Sequence, residues 1–89
     1  DKLVEYAELT SAQRVRRELS RLAGNSRTAV DSALITEMPT QSELATQILT
    51  RREAVTREIA RLQREGIVRR RKDGFFIPSV KRLEAEILA

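Results

Sequence analysis

Residues 40–66 read TQSELATQILTRREAVTREIARLQREG, and this stretch decides the fold. It opens on Thr40-Gln41-Ser42-Glu43, a Thr-x-x-Glu capping box in which the two ends satisfy each other's free N–H groups. The helix it starts carries Leu44, Ala45 and Ile48 on one face. That helix is short, ending near Ile48, because another box, Thr50-Arg51-Arg52-Glu53, follows at once. The next helix buries Val55, Ile59 and Leu62 and runs to Glu65-Gly66. Two short helices so close in sequence must cross steeply to share a core, and Ala45 is small where they approach. This is the layout of a helix-turn-helix.

The flanks extend the same pattern. Residues 3–9 are mildly helical and end at Thr10-Ser11-Ala12-Gln13, a third capping box. Ala12, Val15, Leu19 and Leu22 then mark one face of a helix of about 13 residues. Gly24-Asn25 is expected to stop it, with Gly supplying a left-handed cap. Ala33–Thr36 is short and apolar enough for a small strand. After Gly66 the period changes: Ile67-Val68 and Phe75-Phe76-Ile77 are β-prone runs flanking Arg69 to Gly74, with Asp73-Gly74 as the turn signal. A hairpin directly after a helix-turn-helix is a wing. Ser79 is placed to cap a last helix with Val80, Leu83, Ile87 and Leu88 as its apolar stripe. The expected fold class is mainly α with a small β-hairpin wing: a winged helix-turn-helix with a three-helix core plus a C-terminal helix.

Composition narrows the function. With 89 residues the chain has room for one domain and buries roughly 60–65% of its unfolded surface. Apolar residues make up 40% and charged residues 34%, a globular balance. Without Cys or His there is no thiolate chemistry, and the commonest general base and metal ligand is missing, so an enzyme would have to work with carboxylates alone. No signal peptide or membrane-length apolar run is present. Because it begins at Asp1, the chain is expected to be a piece of a longer protein. Residues 51–72 hold nine basic and three acidic residues, a net of +6 in a chain whose total is +4. Such asymmetry points to a polyanionic partner, although a solvated helix face has the same composition.

The third helix of the core carries the chemistry. With Val55, Ile59 and Leu62 inward, Arg52, Glu53, Thr56, Arg57, Ala60 and Arg64 project outward. Arg can fork onto guanine O6 and N7, and Glu can accept from cytosine N4, so Arg52, Glu53, Thr56 and Arg57 are candidate base contacts. The competing account makes Glu53 a capping-box residue and Glu53/Arg57 an ordinary i,i+4 pair. Thr40, Gln41 and Ser42, where free N–H groups favour an anion, are candidate phosphate contacts. So are Arg70, Arg71 and Lys72 in a mobile cationic wing tip running from Arg69, whose competing role is to keep an edge strand soluble.

The stretch from Thr40 to Gly66, continued by Ile67-Val68-Arg69-Arg70-Arg71 and Phe76-Ile77-Pro78, closely resembles the C-terminal DNA-binding domain of the Crp/Fnr family of bacterial transcription regulators. The stretch Arg14-Val15 through Leu22-Ala23 is similar to the helix leading into it, and the resemblance spans roughly residues 10–83. It implies that the positions of Arg52, Glu53 and Arg57 contact base pairs, with Arg57 on a guanine, Glu53 on a cytosine and Thr56 at a variable specificity position. Gln41, Ser42 and Arg51 match positions that usually touch phosphates. Glu53-x-x-Thr56-Arg57 looks like the Fnr-like branch, with half-sites resembling TTGAT, whereas Arg52 matches the Crp-like branch, with half-sites resembling TGTGA. A shared TGA-like core follows. Leu49 stands where the family usually has Gly, which implies a strained or rearranged turn.

The resemblance further implies a homodimeric, cytoplasmic regulator that binds double-stranded DNA, with RNA polymerase among its partners and no membrane association. Residues 1–9 would be the end of a dimerisation helix and its hinge, and residues 10–89 the DNA-binding domain. An N-terminal effector-binding domain would lie outside this chain, its effector unidentified, and no cofactor or metal is expected within it. Two other classes of protein leave different signatures. A winged-helix protein–protein module predicts an apolar outer face on the third helix, and a small enzyme needs a carboxylate cluster.

Overall fold

In the computed structural model of the chain, which describes residues 9–88, the first helix starts at the Thr10 capping box. The Gln13 N–H donates to Thr10 Oγ1 at 3.2 Å and the Thr10 N–H to Gln13 Oε1 at 2.9 Å. Helix α1, Ser11–Gly24, buries Val15, Leu19 and Ala23. Its end departs from expectation: Gly24 is still helical, and Asn25 closes the helix at φ −92° and ψ 0°. The N–H groups of Asn25 and Ser26 donate back to the carbonyls of Leu22 and Ala23, a tightened last turn that needs no left-handed residue. The expected helix end over residues 1–9 lies, apart from Leu9, outside the described residues.

Strand β1, Ala33–Ile35, precedes the helix pair α2, Gln41–Gln47, and α3, Arg52–Arg64. The Thr40 box forms as expected. The Thr40 backbone N–H and hydroxyl hold the Glu43 carboxyl below its ordinary range. Strands β2, Arg69–Arg71, and β3, Gly74–Ile77, form the wing, and helix α4, Val80–Ala85, ends the fold. The sheet has three antiparallel strands in the order β1-β3-β2, with Leu34 opposite Phe76 and Arg70 opposite Phe75. The hairpin wing is therefore widened by the small strand at Ala33.

Ile67 and Val68 are core rather than strand. They are 2% and 1% exposed, and both their N–H groups donate to the Leu62 carbonyl, so they close α3 instead of pairing in the ladder. Gly66, at φ +73°, supplies the left-handed residue that this closure requires. The hairpin turn is Lys72-Asp73, and Gly74 already pairs with Arg71. Gly74 has no substitute, since a Cβ there would lie 2.2 Å from the Ile35 carbonyl oxygen. At α4, Ser79 accepts from the Arg82 N–H and donates to Asp31 Oδ2 at 2.5 Å. Asp31 also accepts from the Lys81 N–H, and these bonds pull its carboxyl below the ordinary aspartate range. The expected C-terminal stripe is shorter in the structure: Val80 and Leu83 are buried, Ile87 is half-buried, and Leu88 is 74% exposed because helical phase ends at Ala85.

Around the apolar centre of Leu19, Leu44, Ile48, Val55 and Leu62 lies a charged cluster that the hydropathy pattern does not show. Glu58, on the inner side of α3, meets Arg16 of α1 at 3.1 Å, and both side chains are 6% exposed. Arg61 joins Glu58 at 2.9 Å, Glu65 at 2.6 Å and Glu86 beyond α4 at 3.3 Å, contacts that raise its already high pKa. Arg16 also donates to the backbone carbonyls of Ala12 and Glu86. Removing one partner of a buried pair strands the other charge. Glu58→Ala is expected to lower unfolding free energy by about 3 kcal/mol or more in urea titrations, and a loss well under about 1 kcal/mol would show that the cluster is not holding α3.

Candidate nucleic-acid interface

Helix α3 stands with Val55, Glu58, Ile59 and Leu62 inward and Arg52, Glu53, Thr56, Arg57 and Arg64 exposed, while Ala60 is half-buried. Its start differs from expectation. Arg51, not Thr50, occupies the N-cap position, at φ −95° and ψ 150°, and no side chain caps the helix. The Thr50 hydroxyl donates instead to Ser11 Oγ at 2.6 Å, a partner 39 residues away that the local capping pattern could not reveal. The capping-box bond expected of Glu53 is thus absent. So is the Glu53–Arg57 ion pair: among the described residues the side chains of Arg51, Arg52, Glu53 and Arg57 carry no hydrogen bond or ion pair. Neither competing role for Glu53 is realised, and the acid and its neighbouring cations face solvent.

These residues border two open depressions. One, of about 650 Å³, is lined by Ser11, Leu49, Thr50, Arg51, Glu53, Ala54 and Arg57. The other, of about 310 Å³, is lined by Arg52, Glu53, Thr56 and Arg57. The surface is therefore grooved and cationic, with one acid at its centre. Of the nine basic residues in 51–72, Arg61 is consumed by the internal cluster, and the other eight are exposed. Two of the three acids, Glu58 and Glu65, are bound to Arg61, so the outward charge is more positive than the sequence count.

Three of the four wing cations lie in a strand, and Lys72 is at the hairpin tip. Arg69, Arg70 and Arg71 form β2 and are all exposed. The Arg70 guanidinium lies 5.3 Å from the Phe75 ring centre and that of Arg71 3.8 Å from Phe76, cation–π stacking that fixes both stems. Lys72 is in the turn. At α2, Thr40 is exposed with its hydroxyl accepting from the Glu43 N–H, Ser42 is exposed, and Gln41 is half-buried. The Gln41 side chain is bonded to Thr56 across the two helices, a contact that no local motif encodes.

The turn between α2 and α3 accommodates Leu49 at φ 59°, in the left-handed region. The Thr50 N–H donates to the Ala45 carbonyl at 2.9 Å and the Leu49 N–H to Thr46 at 3.3 Å, the bond pair of a Schellman ending. Arg14 of α1 donates to the Leu49 carbonyl at 2.8 Å. The turn keeps its glycine-type geometry and bears the strain, rather than rearranging.

Among the described residues, four helices, the second packed on the third, and a three-stranded sheet that includes a hairpin define a winged helix-turn-helix. A family model of Crp-like helix-turn-helix domains matches residues 13–86, and the chain belongs to that family, whose members are DNA-binding domains of transcription regulators. No curated protein sequence matches the chain. Among solved structures, reduced CprK without ligand superposes with a TM-score of 0.75 at 20% identity over 94% of this chain and 44% of that one. CprK complexed with OCPA gives 0.76 at 20% identity over 90% and 38%. FixK2 from Bradyrhizobium japonicum gives 0.74 at 16% identity over 92% and 40%. The chain thus spans less than half the length of these structures.

A non-glycine residue at positive φ costs roughly 1 kcal/mol, and Leu49, 69% exposed, recovers little of that by packing. Leu49→Gly is expected to raise stability by about 1 kcal/mol in thermal or urea unfolding. Equal or lower stability would mean that its side chain packs to more effect than its exposure indicates.

Proposed function

We propose that this chain is the sequence-reading output domain of a bacterial Crp/Fnr-like transcription regulator, inserting the first turns of α3 into the major groove of double-stranded DNA. The observation that carries this reading is the exposed, unpaired set Arg52, Glu53 and Arg57 on a helix whose opposite side is fully anchored. Charged groups with no partner among the described residues keep their full hydrogen-bonding capacity for base edges. Arg57 is assigned to a guanine, Glu53 to a cytosine amino group, and Arg52 to the flank of a half-site with a TGA-like core. Thr56 lies among them.

Phosphates are assigned to Thr40, Gln41, Ser42 and Arg51 on one side of α3 and to Arg70, Arg71 and Lys72 of the wing on the other. Two copies would then be needed to occupy half-sites about ten base pairs apart, one helical turn. The regulator is proposed to act as a homodimer in the cytoplasm, with RNA polymerase as a further partner and an effector domain lying outside this chain. No helix among the described residues is long and apolar enough to cross a membrane. A protein–protein role for this surface would call for an apolar outer face on α3. The exposed residues there are Arg52, Glu53, Thr56, Arg57 and Arg64, which favour a polyanion.

The assignment divides labour between α3 and the wing. Arg57→Ala is expected to cost about 1–3 kcal/mol on a TGA-core duplex and to relax preference at the guanine. Arg70→Ala should weaken binding to all duplexes alike and reduce the salt slope by about one ion. Fluorescence anisotropy on cognate and scrambled duplexes across a salt series separates the two. Indistinguishable effects of both variants on both duplexes would contradict the division.

A further inference from the structure

Outside the core, a side-chain bond joins the two helices of the helix-turn-helix. Gln41 is the first residue of α2, and Thr56 sits in the second turn of α3. The Thr56 hydroxyl has two acceptors within reach, Gln41 Oε1 and the Arg52 backbone carbonyl at 3.0 Å. A threonine hydroxyl owns one proton and serves one of them at a time. When it serves Gln41, the amide oxygen accepts one bond and the Nε2 group is left with two donors. Among the described residues nothing accepts them.

The chemistry of that half-satisfied amide limits what it can read. A glutamine distinguishes adenine by using both ends, its oxygen accepting from N6 and its nitrogen donating to N7. With the oxygen engaged by Thr56, the unpartnered atoms of the Gln41 amide are its two Nε2 donors. Phosphate oxygens accept only, so they match these donors, and they carry no base identity. Thr56 is in turn less suited to reading a base as a donor, because its single proton already has two acceptors inside the protein.

We propose that Gln41 and Thr56 form one phosphate-binding unit in which Thr56 is a positioning residue, its hydroxyl holding the amide so that Nε2 donates to a backbone phosphate beside the bases read by α3. The inference rests on the DNA-binding reading above and reassigns Thr56 from the bases to the orientation of Gln41. Because the amide is neutral, its phosphate contact displaces no counterion and leaves the salt slope untouched.

The test is a double-mutant cycle on the chain, titrated at low salt with a TGA-core duplex and with a scrambled one. Thr56→Val and Gln41→Ala should each weaken binding to both duplexes by the same factor, roughly fivefold, the size of one net hydrogen bond. The double variant should be no weaker than either single one, and Thr56→Ser should retain wild-type affinity. The Gln41 side-chain amide resonances should shift on duplex addition in the wild type and not in Thr56→Val, with unchanged thermal unfolding. Additive losses, or a Thr56→Val loss confined to the TGA-core duplex, would overturn the inference. Arg57→Ala in the same assay keeps the two questions apart. If it abolishes discrimination while the cycle is additive, the unit fails and DNA reading stands; if the wild type itself does not discriminate the duplexes, both fall.

Discussion

Glu58 is the constraint on which the pose of α3 depends. It is an acidic side chain on the inner face of α3, almost removed from water, and its partners are Arg16 of α1 and Arg61 one turn along α3 itself. Arg16 approaches it from α1, and Arg61 relays the contact to Glu86 at the end of α4. Apolar packing alone lets a helix slide or roll at modest cost, because hydrophobic contacts are non-directional. A buried carboxylate with guanidinium partners admits far fewer geometries, since any shift that breaks a contact leaves a charge without solvent or partner. The cluster thus turns a helix resting on Val55, Ile59 and Leu62 into one with a set rotation. That rotation decides which side chains reach outward, and the proposed reading of bases requires that they reach the same place each time.

The same arrangement sorts the charge. Arg61 takes Glu58 and Glu65 for internal use, leaving Glu53 as the exposed acid of α3 among free guanidiniums. Wing cations are braced on Phe75 and Phe76, and they lie on β2, whose partner β3 is held to β1 by a contact only Gly74 allows. Bracing reduces the entropy lost when a long cationic side chain meets a phosphate. The exposed charges of α3 and those of the wing are accordingly built on separate, firmly seated elements.

What the sequence made legible was what is local. The boxes at Thr10 and Thr40 close within three residues, and each forms as written. The outward face of α3 follows from the spacing of Val55, Ile59 and Leu62, so its exposed candidates were readable. The box at Thr50 failed for a non-local reason, since Ser11 captures its hydroxyl. Ile67 and Val68 have strand propensity but answer to the end of α3. Arg16 and Glu58 look like surface residues of two amphipathic helices, and only the packing of α1 on α3 brings them together. The joining of β1 to β3 and the bond between Gln41 and Thr56 likewise exist only once the chain is folded.

The most direct test of the central claim, that the free face of α3 reads sequence, is binding-site selection from a random duplex library. Two copies of the chain joined as a dimer would be used at about 0.1 M salt, where non-specific attraction is already screened. The expected result is an enriched two-fold site with a TGA-like core in each half, its centres about one helical turn apart. Pools no different from the starting library, with binding that vanishes as salt rises, would mean that the cationic surface is an electrostatic patch without sequence reading, contradicting the account.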